Sequence, residues 1–118
     1  MTSAPRVSVI MPSFNHGRFI SHAIESVLSQ DYQPISLLVM DGGSTDATLS
    51  ILESYGDRIS FVSRRDRGQS DAINQGFRAA EGDILCWLNS DDAFTAHAIR
   101  IVVDVFEHHP DASFVYGK

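Results

Sequence analysis

Asn89-Ser90-Asp91-Asp92 sets two adjacent carboxylates beside an amide and a small hydroxyl, directly after the apolar run Ile84-Leu85-Cys86-Trp87-Leu88. Neighbouring carboxylates repel one another, and a cation relieves the repulsion. Hard oxygen donors of this kind suit Mg²⁺ or Mn²⁺, ions that keep some waters and bridge to substrate phosphates. The same residues have a second reading, in which Asp92 or Thr95 caps the start of a following helix. The two readings are compatible, since one aspartate can cap while its neighbour ligates.

Three more polar clusters carry candidate chemistry. In Asp41-Gly42-Gly43-Ser44-Thr45-Asp46 the glycines allow a tight turn and close approach of a ligand to the backbone. The spacing is not that of G-x-G-x-x-G, so a dinucleotide site is not supported. Asp41 is the candidate acceptor for a nucleobase N–H or a ribose hydroxyl, whereas Ser44 reads as a helix N-cap and Asp46 as a structural, dipole-favourable acid. In Pro12-Ser13-Phe14-Asn15, Phe14 either stacks on a base or joins the core, and the local sequence slightly favours the core. Asn15 is placed to hold the loop, and Pro12 is expected to stop the strand ladder. Arg64-Arg65-Asp66-Arg67-Gly68 concentrates positive charge that suits a diphosphate, or forms a solvated loop. Asp71 follows at the start of a helical pattern, where an acid favours the dipole with or without a ligand.

The five histidines show no metal-ligand spacing. His16 lies near the clusters, while His22, His97, His108 and His109 read as helix surface. Nothing resembles a Ser-His-Asp or Cys-His constellation. Cys86, the single cysteine, reads as a buried core thiol rather than a nucleophile.

The elements that must position these clusters follow from hydrophobic periodicity. Short β-branched runs at 7–11, 35–40, 59–62, 84–88 and 113–116 alternate with helical segments, the pattern of an α/β fold with a mostly parallel sheet flanked by helices. Apolar stripes fall on Ile20, Ala23, Ile24, Val27 and Leu28; on Thr48, Ile51, Leu52 and Tyr55; on Ile73, Gly76, Phe77 and Ala80; and on Ile99, Val102, Val103 and Phe106. The third of these helices is expected over 70–80; Gly56 is expected to stop the second and Pro110 the fourth. Each polar cluster directly follows a strand or precedes a helix. In an open parallel sheet such loops emerge at the carboxyl edge, where ligands bind at the topological switch point.

Length and composition set the outer bounds. A chain of 118 residues, 43% hydrophobic and 20% charged, is one domain with ordinary globular composition. A net charge of -6 argues against nucleic acid or an anionic membrane as the main partner. No apolar run approaches the roughly 20 residues that span a bilayer, and residues 1–6 lack the apolar core of a signal peptide. With no internal disulfide available to Cys86, the expected location is the reducing cytoplasm.

Taken in order, five stretches carry a family resemblance: Val7-Ser8-Val9-Ile10-Met11-Pro12-Ser13-Phe14-Asn15, Ala23-Ile24-Glu25-Ser26-Val27-Leu28-Ser29-Gln30, Val39-Met40-Asp41-Gly42-Gly43-Ser44-Thr45-Asp46, Asp71-Ala72-Ile73-Asn74-Gln75-Gly76 and Asn89-Ser90-Asp91-Asp92. The chain resembles the N-terminal nucleotide-sugar-binding half of glycosyltransferase family 2, inverting enzymes with the GT-A (Rossmann-like) fold. The resemblance implies that Pro12 and Phe14 border the base, with Phe14 stacking on it, and that Asp41 binds the base, a UDP-sugar being the favoured donor. Arg67 and Asp71 would line the pocket near the phosphates or ribose. Asn89-Ser90-Asp91 stands in the place of the D-x-D motif, so that Asn89 would face the ribose or a metal-bound water, Ser90 would belong to the nucleotide-binding set and Asp91 would ligate Mg²⁺ or Mn²⁺. An asparagine at position 89, where aspartate is usual, implies weaker metal affinity.

The resemblance also implies an acceptor half that this chain lacks. Lys118 is reached before the region that carries the catalytic carboxylate, the base for the acceptor hydroxyl. Residues 1–118 are therefore expected to form one donor-binding subdomain, truncated before the acceptor half, with the catalytic base beyond Lys118 and little transfer activity by itself. The implied setting is hexosyl transfer to a glycan or lipid-linked acceptor in cell-surface polysaccharide biosynthesis, with the full-length protein peripheral at the inner face of the membrane. A missing half is expected to bare an apolar face near the last strand, which invites a homodimer. Two other readings stand beside this one. A non-catalytic nucleotide-binding module shares every feature above. A phospho-receiver domain shares the alternation of elements, but it needs an acidic pair where this chain has Pro12-Ser13 and a helix after a lysine at the position of Lys118.

Overall fold

The computed structural model describes residues 4–109, and its central element is a strand, β1 (Val7–Ser13), buried along its whole length. The following elements are α1 (Ile20–Leu28), β2 (Ile35–Asp41), α2 (Thr48–Ser54), a 3-10 turn (Gly56–Arg58), β3 (Ser60–Ser63), α3 (Gln69–Ala79), β4 (Ile84–Trp87) and α4 (Ala98–His108). The strands form one four-stranded sheet in the order β3-β2-β1-β4, with every pair parallel. Strand 113–116 and the stop at Pro110 lie outside the described residues, as does the face beside that strand. None of the helices among the described residues is long and apolar enough to cross a membrane.

The handedness of parallel crossovers explains the layering. From β1 to β2 to β3 the chain steps in one direction, so right-handed crossovers put α1 and α2 on one face. It then reverses past β1 to reach β4, which puts α3 on the other face. The side-chain alternation of β1 and β2 matches this. Val7, Val9, Met11, Leu37 and Val39 join the larger core with Ile20, Ala23, Ile24, Val27, Leu52, Ile99 and Val103. Ile10 and Met40 point the other way and pack with Ala72, Phe77 and Ala80 of the α3 layer. The four helical stripes expected from sequence are the faces that pack, although Ile73 is only half-buried and Ala72 takes the deeper place.

Two local expectations are corrected. Pro12 does not end β1, which continues to Ser13 in register with Asp41. The carbonyl of Ile10 accepts from Leu88 N–H on the β4 side, and alternation puts Pro12 on that same side. Pairing with β4 ends at Ile10–Trp87, so the missing N–H of Pro12 costs no ladder bond. Ser44 is not a helix cap either. Helix α2 starts at Thr48 after Ala47, and Asp46 performs the local capping by accepting from the Thr48 N–H at 3.0 Å and its hydroxyl at 2.5 Å.

Gly76 lets α3 sit directly on β1. A Cβ built there would overlap Cγ2 of Ile10, a residue with no solvent exposure. An alanine in mid-helix normally gains about 1 kcal/mol over glycine. Here overpacking against an immobile central strand reverses the sign, and Gly76→Ala is expected to lose about 1–3 kcal/mol. Thermal denaturation of the variant reads this as a lower Tm.

Candidate active site

The carboxyl ends of all four strands open on one edge, and the reversal of strand order lies between β1 and β4. A cavity of about 490 Å³ occupies that edge, lined from β1 and its loop by Pro12, Ser13, Phe14 and His16, and from the β2 loop by Gly42. The β3–α3 connection adds Arg65, Asp66 and Gly68, the start of α3 adds Gln69 and Ala72, and the β4 loop adds Asn89. Its volume falls in the range of small-molecule sites, about 300–1,000 Å³.

Loop-to-loop hydrogen bonds shape this edge. Asn15 adopts a left-handed φ of 53°, which asparagine tolerates well. Its N–H donates to Ser44 Oγ at 2.9 Å and its Oδ1 accepts from Thr45 N–H at 2.8 Å. Gly17 N–H donates to Asp46 Oδ2 at 3.0 Å. The bonds to Asp46, that from the Thr48 hydroxyl first, hold its carboxyl below the usual carboxylate range. Asn15 thus holds the loop as expected, and Asp46 is structural.

Asp41 lies under the cavity, 2% exposed and absent from its wall. Its Oδ1 accepts from the Ser44 hydroxyl at 2.5 Å, and its Oδ2 accepts from Gly43 N–H, Ser44 N–H and the Ser63 hydroxyl at 3.1, 2.8 and 2.8 Å. A carboxylate offers about four acceptor positions, and four donors from its own surroundings already reach this one. Asp41 organises the β2 loop.

Phe14 is 57% exposed on the cavity wall, so the core alternative for it falls. Pro12 and Asn89 are also on the wall. Asn89 Oδ1 accepts a hydrogen bond from Gln69 Nε2, which ties the β4 loop to the start of α3. Ser90 is fully buried and off the wall, and its hydroxyl shares a hydrogen bond with His16 Nδ1 at 2.5 Å. It ties the β4 loop to the β1 loop. Arg67 and Asp71 stand outside the cavity, with Arg67 N–H donating to Asp71 Oδ2 at 2.9 Å and Gln75 Nε2 donating to the same oxygen at 2.9 Å. Those bonds, led by the one from Arg67, hold the Asp71 carboxyl below its ordinary range. The arginine that the cavity does contain is Arg65. Gly68, with φ of 112°, turns the chain into α3 without a side-chain cap, so the first turn of α3 meets the cavity with its N–H groups uncapped by a side chain.

Asp91 and Asp92 are exposed, and among the described residues no side-chain hydrogen bond reaches either carboxylate. The capping alternative is removed, because α4 begins only at Ala98 after His97. The start of that helix is instead satisfied from a distance. Gln30, nearly buried, accepts from Ile99 N–H at 3.0 Å and donates to the Thr95 carbonyl at 2.7 Å, and Ser26 Oγ accepts from Phe94 N–H at 3.1 Å. The C-terminal end of α1 therefore positions the loop that carries Asp91. No group of three His, Cys, Asp or Glu able to hold a metal unaided exists among the described residues. The donor set fits a hard cation shared with a substrate diphosphate, the mode in which Mg²⁺ uses one or two carboxylates. Cys86 takes no part; it is half-buried against the larger core rather than within it, and desolvation pushes its thiol up to about 12, which keeps it unreactive.

The family model described as glycosyl transferase family 2 matches residues 8–117. An uncharacterized glycosyltransferase of Nostoc sp. is 35% identical over 106 residues, which cover 86% of this chain and 33% of that protein. The chain thus spans about a third of the length of that curated relative. Among solved structures, S. aureus TarS 1-349 in complex with UDP-GlcNAc superposes with a TM-score of 0.79 at 26% identity, covering 89% of this chain and 32% of that 1-349 chain. The mannosyltransferase PcManGT from Pyrobaculum calidifontis, in complex with GDP-Man and Mn²⁺, superposes with a TM-score of 0.72 at 30% identity over 80% of this chain and 30% of that one. The fold is that of the GT-A glycosyltransferases.

Proposed function

The chain belongs to glycosyl transferase family 2, and on that premise we propose that its cavity binds the donor of an inverting sugar transfer, a nucleoside diphosphate sugar with UDP favoured. The observation that carries the reading is the cavity at the switch point of the sheet. One wall presents an exposed aromatic face, Phe14, and another presents Arg65 and the start of α3. A base stacks on the first, and the second attracts the diphosphate through a guanidinium and the positive end of a helix. Asp91 on the neighbouring β4 loop would hold Mg²⁺ or Mn²⁺, with Asp92 and the amide of Asn89 nearby. When bound there, such an ion would supply Lewis-acid neutralisation of charge on the leaving diphosphate. Asn89, fixed by Gln69, faces the ribose, and Ser90 serves the nucleotide indirectly by holding His16. Pro12 borders the base. Arg67 and Asp71 act on the site by shaping the entry to α3.

The acceptor, a glycan or lipid-linked hydroxyl, and the base that deprotonates it are proposed for sequence outside this chain, in keeping with its share of the Nostoc relative. Calorimetric titration of UDP, GDP and dTDP in Mn²⁺ tests the reading. UDP is expected to bind at millimolar concentration or tighter, and absence of binding by all three would reject it.

A further inference from the structure

We infer that Asp66, rather than Asp41, is the carboxylate that reads the nucleobase, and that it selects a base with a ring N–H on its reading edge, as in uracil, over cytosine. The inference rests on the nucleotide-binding reading above. Among the described residues Asp66 supplies the only carboxylate on the cavity wall, while the oxygens of Asp41 are filled by its own loop and by Ser63 of β3.

The placement of Asp66 depends on Gly42. A Cβ at position 42 would meet Asp66 Oδ2 at 3.0 Å and Oδ1 at 3.1 Å, so the bare backbone beyond β2 leaves the space that the carboxylate fills. Asp66 Oδ1 accepts from Gly68 N–H at 2.9 Å. That bond fixes the side chain and leaves Oδ2 without a hydrogen-bond partner among the described residues. No arginine forms an ion pair with it there. Ser13, 5% exposed and on the same wall, carries a buried hydroxyl with no partner among the described residues. Such an atom calls for an explanation in terms of an unseen ligand or water.

A flat apolar surface at Phe14, a fixed acceptor at Asp66 and a spare hydroxyl at Ser13 together match a planar heterocycle whose ring N–H is flanked by a carbonyl. Uracil presents that edge. Cytosine presents a ring nitrogen lone pair in place of the N–H, which a carboxylate repels. UDP and CDP have the same charge and nearly the same shape, so the pair isolates this contact.

Isothermal calorimetry with UDP and CDP in Mn²⁺, on the wild-type chain and on Asp66→Asn, tests the assignment. The wild type is expected to prefer UDP by roughly tenfold, the scale of one hydrogen bond to a charged group. Asp66→Asn is expected to lose that preference, because the amide can donate to the ring nitrogen of cytosine; retained CDP binding also reports that the variant is folded. Gly42→Ala, which displaces only the end of the Asp66 side chain, is expected to weaken UDP in the wild-type background and to add nothing in Asp66→Asn. An unchanged UDP-to-CDP ratio in Asp66→Asn overturns the inference and leaves the nucleotide site standing. A wild-type chain that binds neither nucleotide overturns both.

Discussion

Replacing Asp91 with alanine is expected to remove the metal-dependent part of nucleoside diphosphate binding, weakening it on the order of tenfold to a hundredfold, or about 1.4–2.8 kcal/mol. The reason lies in how little else is present to hold the ion. Among the described residues no cluster of three ligating side chains exists, and the oxygen of Asn89 is already engaged by Gln69. A cation here must be held chiefly by the diphosphate and one or two carboxylates. The affinity of the variant for UDP in Mn²⁺ should therefore fall to the value that the wild type shows in chelator. Its melting temperature should stay put, since Asp91 is exposed and its side chain has no hydrogen bond to lose. If Asp91→Ala keeps its response to Mn²⁺, the ion is held elsewhere.

Asp41→Ala is expected to have the largest effect on stability, a loss of about 3–5 kcal/mol. Four donors converge on that carboxylate: two backbone N–H groups and two hydroxyls, one of them from the neighbouring strand β3. Each buried donor left without an acceptor costs about 1–3 kcal/mol, and the hydroxyls recover part of this by turning. The loss would consume a large part of the roughly 5–15 kcal/mol by which a domain is stable. Chemical denaturation of the variant measures it. A residue that merely touched the base would show the opposite pattern, with UDP affinity reduced and the unfolding midpoint unchanged.

Much of this arrangement was legible in the sequence because it is periodic or local. The stripes of α1, α2, α3 and α4 follow from spacing alone, and the parallel sheet follows from β-branched runs that do not alternate. The convergence of polar clusters follows in turn from their common position after strands. What was not legible depends on contacts between distant segments. Asp41 looks like a free acid until β3 pairs with β2 and brings Ser63 opposite it. Asp92 looks like a cap until Gln30, sixty-nine residues from Ile99, satisfies the helix start. Arg67 and Asp71 enter through the family resemblance alone, and only the folded loop shows that Arg65 and Asp66 line the cavity ahead of the turn at Gly68. Asp66 itself had one signal available, the glycine at position 42, whose missing side chain only acquires meaning beside the β3–α3 loop.

One cavity at the carboxyl edge of the sheet is expected to take a nucleoside diphosphate together with a metal ion held at Asp91. Nuclear magnetic resonance on the isotope-labelled chain tests this most directly, by titrating UDP in Mg²⁺ and then adding trace Mn²⁺. The expected result is amide shifts at Phe14, Gly42, Asp66, Gln69 and Asn89, followed by paramagnetic broadening centred on Asp91 only when UDP is present. Shifts confined to other parts of the sheet, or broadening around Asp91 that ignores UDP, would contradict it.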